Sequence, residues 1–165
     1  AFPFLINEPY ICFLDDDNWF EPEHIETMFN FLQKNDLDWC FSLRNLVTRD
    51  GSFLCEDDCL SLGYHPRFDN QICVDTNCFL LKTEVARNAG HAWYTTNGDQ
   101  MFTQELLKNK TICGCTGKHT VNYRITENNK NLTPEWYLDI NQKMCQVYPH
   151  KPWRKESIIK YKEQL

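Results

Sequence analysis

Tyr10-Ile11-Cys12-Phe13-Leu14-Asp15-Asp16-Asp17-Asn18-Trp19 is the stretch on which the reading of this chain turns. Its apolar half, Tyr10–Leu14, has the length and composition of a short buried strand. The strand runs straight into three consecutive carboxylates, which repel one another unless a cation or a bound partner compensates them. In open α/β sheets the carboxyl ends of the strands are also where ligands bind. The stretch is therefore a candidate site for a divalent cation that holds an anionic substrate. A solvated acidic turn leading into the next helix would leave the same pattern, because acids favour a helix N-terminus.

Downstream, Pro22 suits the first turn of a helix, and Ile25, Met28, Phe29 and Leu32 give one apolar stripe that ends near Asn35. Asp38–Leu43 reads as a strand. Arg49-Asp50-Gly51-Ser52 is a hairpin turn returning through Phe53-Leu54-Cys55. Glu56–Asn70 reads as a long loop, and long loops in compact domains are often functional. Gln71–Leu81 has strand character, and Thr83 is placed to cap a short helix, Glu84–Ala89, closed by Gly90. An aromatic loop containing Trp93 and Tyr94 leads to a helix beginning near Gly98-Asp99, with Met101, Phe102, Leu106 and Leu107 turned inward. Ile112–Cys115 and Thr120–Ile125 read as two short strands. Thr133-Pro134 opens a last amphipathic helix with Trp136, Ile140, Met144 and Val147 on one side. Alternating strands and helices with one hairpin imply an α/β sheet of mixed direction.

The 165 residues suit one domain, and 42% hydrophobic with 14% aromatic content suits a packed one. A net charge of −6 argues against broad nucleic-acid binding, which needs a basic footprint. The charge is uneven. His150–Leu165 carries five Lys/Arg against two Glu, a basic tail that reads as a solvated terminal helix or as a surface for peripheral contact with an anionic membrane. No run approaches the ~18 apolar residues of a membrane span. The nine cysteines lack the paired spacing of a zinc site. Cys12, Cys40, Cys73, Cys78 and Cys113 sit in apolar runs and read as small buried hydrophobes of a reduced, cytoplasmic protein. Sequons at Asn109 and Asn131 matter only in a secreted chain. The five histidines are scattered, with no Ser/His/Asp or Cys/His signature, and no phosphate-binding glycine loop is present. The chain starts at Ala1 with residues already apolar, which suggests a piece of a longer or processed polypeptide.

Phe13-Leu14-Asp15-Asp16-Asp17-Asn18-Trp19, Gly98-Asp99 at the head of a helix, and Val121-Asn122-Tyr123-Arg124-Ile125 come in the order of three motifs of a known family. The first resembles the DXD region of family 2 glycosyltransferases of GT-A fold. The second resembles the motif whose Asp is the catalytic base, and the third resembles the closing strand. Asp75–Leu81 with the short helix after it resembles the acceptor-side segment. The likeness covers about residues 9–128. It departs from the family in three places. The long nucleotide-gripping part that precedes the DXD strand is missing, Gly98 stands where a Glu is usual, and Thr126 stands where many relatives have a His.

The resemblance implies a GT-A-like mixed sheet flanked by helices, truncated at its N-terminal side. Residues 1–149 would form the catalytic segment and 150–165 the basic tail. It also implies inverting transfer of a sugar from a nucleotide-diphosphate donor to a hydroxyl of a glycan or other acceptor, with Mn²⁺ or Mg²⁺ as cofactor. Carboxylate oxygens suit such hard cations. Asp17 would contact the metal, Asp15 would bind the ribose or reach the metal through water, and Asp16 would turn into the protein or toward substrate. Asp99 would be the general base; a helix N-cap is its competing reading. Trp93 and Tyr94 would stack on a sugar or simply cover the core edge. Arg124 would pair with the diphosphate or make a structural ion pair, and Asp75 would lie on the acceptor side. A non-catalytic carbohydrate- or cation-binding fragment that needs a partner chain or a preceding segment is the other open reading.

Overall fold

Strand β3, Trp39–Val47, shows how the molecule is layered. Trp39, Phe41 and Leu43 face one apolar cluster, whereas Cys40 between them faces a second with Met28, Phe31, Leu32 and Leu37. A strand covered on both sides needs apolar residues at successive positions, which explains the near-unbroken apolar run. Strand β5, Phe79–Lys82, repeats the pattern, with Phe79 and Leu81 toward the larger cluster and Leu80 toward the smaller. The computed structural model describes residues 2–67, 69–95, 97–126 and 132–159.

The sheet follows the order β1 (Tyr10–Cys12), β5, β3, β6 (Cys113–Arg124), β2 (Trp19–Phe20). Strand β4 (Phe53–Glu56) pairs with β3, and β7 (Ser157–Ile159) with β6. Strands β3 and β6 are parallel, and every other pair is antiparallel. Because β1 and β3 both oppose β5, strands β1, β3 and β6 run the same way. Their carboxyl ends, and the start of β5, therefore share one edge of the sheet. Helix α1 (His24–Lys34) covers the smaller cluster, while α2 (Thr83–Ala89), α3 (Gly98–Lys108) and α4 (Pro134–Val147) follow in the chain. The mixed α/β sheet flanked by helices is the fold class expected.

Several local expectations change. The α1 stripe is rotated: His24, Met28, Phe31 and Leu32 are buried, and Ile25 and Phe29 face out. Thr83 does not cap its helix, because its hydroxyl donates to the Glu8 carbonyl at 2.7 Å. Of Gln71–Leu81 only the end becomes strand, preceded by a 3-10 turn at Thr76–Cys78. The two strands expected at 112–125 are one long β6. Its partners on β3 jump from Phe41↔Cys115 to Leu43↔His119, so the extra residues bulge out. Gly117, at φ +67, makes the bulge possible; a Cβ there would lie 2.7 Å from the Lys155 backbone. In α4, Val147 is exposed and Tyr137 takes a buried place beside Ile140 and Met144. The helix opens at Thr133-Pro134 as expected, with Thr133 as its cap, accepting from the Trp136 N–H.

The terminal helix expected after His150 is a 3-10 turn (Pro152–Arg154) followed by β7. This segment is clamped onto the body of the fold. Asp58 accepts from Trp153 Nε1 at 2.7 Å, Lys151 Nζ at 2.8 Å and Arg154 Nε at 2.8 Å. The tail's Lys160 and Lys162, and the sequon residue Asn131, lie outside the described residues. All nine cysteines are free thiols. No helix among the described residues is long and apolar enough to cross a membrane.

Candidate active site

The shared sheet edge gathers most of the residues singled out from the sequence. Asp15, Asp16 and Asp17 follow β1 and are all exposed, so Asp16 does not turn inward. Asp16 and Asp17 make no side-chain hydrogen bond or ion pair with the described residues. Asp15 is held from both ends by buried Asn77, which precedes β5: its N–H donates to Asn77 Oδ1 at 2.6 Å, and Asn77 Nδ2 donates back to Asp15 Oδ2 at 2.9 Å. Asn77 Nδ2 also donates to Asp75 Oδ1 at 2.8 Å. One amide therefore bridges the acidic loop to the acceptor-side segment.

Asp75 and Asp99 line one cavity of about 360 Å³ at this edge, within the range of ligand pockets. Arg44 and Arg67 supply cations to the wall, Gln71, Asn97 and Gln100 supply amides, and Tyr123, Trp136 and Tyr137 supply aromatic surface. Arg44 is only 3% exposed and is held by two carboxylates. Its Nε donates to Asp57 at 2.6 Å and its Nη1 to Asp75 at 2.5 Å, and it lies 4.0 Å from the Tyr123 ring centre. Burial works against this cation, but Asp75 and Asp57 outweigh it and hold its pKa above the ordinary value. Burial likewise raises the Asp57 carboxyl, and Arg44 with the N–H groups of Leu60 and Cys59 more than reverses that. Asp75 is thus committed to Arg44 and Asn77, a wall of the cavity rather than a free acceptor of ligand protons.

Asp99 sits in the first turn of α3. Asn97, not Asp99, is the N-cap residue, and it makes no side-chain capping bond. Asp99 Oδ1 accepts from the Gln100 N–H at 2.7 Å, and Oδ2 accepts from the Cys73 thiol at 3.6 Å. The residue before it is Gly98 for a packing reason. A Cβ there would lie 3.3 Å from the Trp93 carbonyl oxygen and 3.4 Å from its ring. A side chain at that position would need Trp93 to give way by a few tenths of an ångström.

Trp93 and Tyr94, expected as a stacking platform, do not line this cavity. Trp93 packs on Phe102 (4.6 Å between ring centres) and Phe13 (5.6 Å), and Tyr94 is 75% exposed. Covering the core edge is what Trp93 does. Arg124, at the end of β6, stands beside the acidic loop instead. Its N–H donates to Asn18 Oδ1 at 2.8 Å and its guanidinium lies 5.3 Å from the Trp19 ring centre. Its Nε is buried with no hydrogen-bond partner among the described residues.

Among the described residues no group of three or more His, Cys, Asp or Glu is placed to hold a metal ion. An all-protein cage is therefore not what this loop offers. Exposed, unpartnered carboxylates fit the other mode of Mg²⁺-like cations, in which one or two carboxylates share the ion with water and substrate phosphates.

Sequence reasoning missed Arg44, Asn77, Gln71, Gln100 and the aromatic wall formed by Tyr137. Arg44 left a signal, since it is a charge inside the apolar run Trp39–Val47. Asn77 and the two glutamines left none.

With this geometry in place, the likeness to known proteins can be set beside it. Residues 5–80 match the model described as glycosyl transferase family 2, a span holding the acidic loop, Arg44 and Asp75. The architecture resembles the crystal structure of Staphylococcus aureus TarS residues 1–349 in complex with UDP-GlcNAc, with a TM-score of 0.56 at 12% identity. That likeness covers 87% of this chain and 44% of the TarS chain, so the present chain spans less than half of the solved protein. The fold is GT-A-like, and the stretch 5–80 is similar to glycosyl transferase family 2. An uncharacterized protein of Haemophilus influenzae is also similar, 29% identical over 102 residues that cover 50% of this chain and 69% of the relative.

Proposed function

We propose that this chain transfers a sugar from a nucleotide-diphosphate donor to a hydroxyl acceptor, with inversion and with the help of a divalent cation. One observation carries the reading. A single cavity holds the Asp99 carboxylate beside the Arg44–Asp75 pair, and Asn77 ties that wall to the exposed acidic loop. The family match over the loop supports it. So does the presence of UDP-GlcNAc in the TarS complex, which makes that nucleotide sugar the first donor to try.

In this reading the residues divide the labour. Asp17, with Asp15 through water, would hold Mn²⁺ or Mg²⁺. When bound, the cation neutralises charge that builds on the departing diphosphate. Arg124, beside the loop at Asn18 and Trp19, would pair its guanidinium with a phosphate oxygen. Asp99 accepts the proton of the acceptor hydroxyl in the cavity; a base so placed contributes about 10²–10⁴-fold. Among the described residues no separate nucleophile lines the cavity in a recognisable arrangement, which favours direct attack of the hydroxyl on the sugar with inversion of the anomeric configuration. Arg44 and Asn77 position the walls and take no part in proton transfer. Nine unpaired thiols suit a reducing compartment such as the cytoplasm.

Donor turnover with Mn²⁺ tests the assignment. Asp99→Asn should lower kcat by about 10²-fold or more, and Asp17→Asn should abolish the stimulation by added metal. Rates equal to the parent in both variants would reject both roles. Retained glycan binding with no turnover in any variant, the parent included, would favour the non-catalytic binding fragment.

A further inference from the structure

The sulfur of Cys73 lies 3.6 Å from Asp99 Oδ2 inside the cavity, and the proposed mechanism leaves it unused. We propose that Cys73 is a positioning residue for Asp99: its thiol donates to Oδ2, fixes the rotamer of the carboxylate, and leaves the remaining lone pairs aimed into the cavity. The inference rests on the reading of Asp99 as general base.

Three features support it. Cys73 is anchored independently of its side chain, because it forms a β-bridge with Gly63 whose N–H donates to the Cys73 carbonyl at 2.8 Å. The sulfur is therefore presented from a fixed backbone. The next residue is tied to the same helix, since the Val74 N–H donates to Thr103 Oγ1 at 3.0 Å and that hydroxyl donates to the Asp99 carbonyl at 2.9 Å. The spacing between the Cys73 segment and the first turn of α3 is thus set by two contacts besides the thiol. Lastly, the direction of the hydrogen bond is fixed by charge. Burial first, and then the Asp99 and Asp75 carboxylates nearby, disfavour a thiolate, so the sulfur stays protonated, a donor facing an acceptor. Oδ1 already takes the Gln100 N–H. The thiol supplies the second point needed to hold a carboxylate plane.

Losing the donor frees the carboxylate to leave its productive rotamer, which lowers kcat without weakening acceptor binding and so differs from loosened packing. In Cys73→Ala kcat should fall about 5–10-fold. The acceptor KM should change less than about twofold, because the thiol is not proposed to bind substrate. Cys73→Ser keeps a donor and should restore most of kcat. A second readout needs no turnover. The rate of iodoacetamide alkylation of Cys73, followed by peptide mass mapping, should rise several-fold in Asp99→Asn, where the charge that holds the thiol proton is gone. An unchanged kcat in Cys73→Ala beside an inactive Asp99→Asn would overturn this inference and leave the base assignment standing. Full turnover in Asp99→Asn would overturn both. If no donor is turned over, unchanged alkylation of Cys73 in Asp99→Asn overturns the hydrogen bond, and faster alkylation upholds it.

Discussion

Arg44 does more to shape the site than any residue the motifs point to. Its guanidinium joins Asp57, at the root of the loop after β4, to Asp75, on the cavity wall, from a position almost without solvent. Removing one partner of a buried pair strands the other charges, and the cost is about 3–5 kcal/mol. Arg44→Met should therefore lower Tm by about 10 °C for a domain of this size, measured by calorimetry or circular dichroism. A shift of only a degree or two would show that the pair is not structural. The residue scale is also where the sequence is least legible. Asp15, Asp17, Asp99 and Arg124 could be picked because each sits in a motif with a chemical reason. Trp93 could not be told from a platform aromatic, since its fate depends on Phe13 and Phe102 meeting it from elsewhere in the chain. Asn77 is invisible in sequence for the same reason: its meaning is the contact it makes with Asp15, 62 residues away.

Among the elements, periodicity located α1, α3 and α4 and misjudged which side of α1 is buried. The stripe Ile25–Phe29 is as apolar as the buried one. What decides is His24, whose ring stacks on Phe20 at 3.9 Å and whose Nδ1 pairs with the Thr120 hydroxyl at 2.7 Å, drawing that face onto β2 and β6. Burial lowers the His24 pKa from 6.5 to about 4, against a smaller opposing effect of Glu23. The sign follows. The folded state keeps this imidazole neutral, while the unfolded chain protonates it below 6.5. The stability it contributes is complete above pH 6.5 and is lost as the pH falls toward 4. His65 and His119, also lowered by burial, act in the same direction. Urea unfolding across this window should show the parent losing about 2 kcal/mol more than His24→Phe. Parallel curves for the two proteins would contradict the assignment. Strand β6 shows another limit of reading by pattern. Gly117 and its polar neighbours look like a break between two strands, yet the chain passes through them as a bulge, because a glycine lets the backbone close against Lys155.

At the scale of the whole molecule, the alternation of apolar segments was enough to give an α/β sheet with one hairpin. It was not enough to give the order β1-β5-β3-β6-β2, which depends on long-range pairing. That order does the functional work. It sends β1, β3 and β6 the same way and so brings the acidic loop, the end of β6 with Arg124 and the approach to β5 with Asp75 to one edge. The C-terminal segment joins the same body through Asp58, next in sequence to the Asp57 that holds Arg44. What the proposed function needs above all is that the loop after β1 binds a cation shared with phosphates. The direct test is anomalous diffraction from crystals of this chain grown with Mn²⁺ and a nucleoside diphosphate. The account predicts a manganese peak about 2.2 Å from a carboxylate oxygen of Asp17, with phosphate oxygens completing its shell. A bound nucleotide with no manganese at the loop, or manganese held elsewhere, would contradict it.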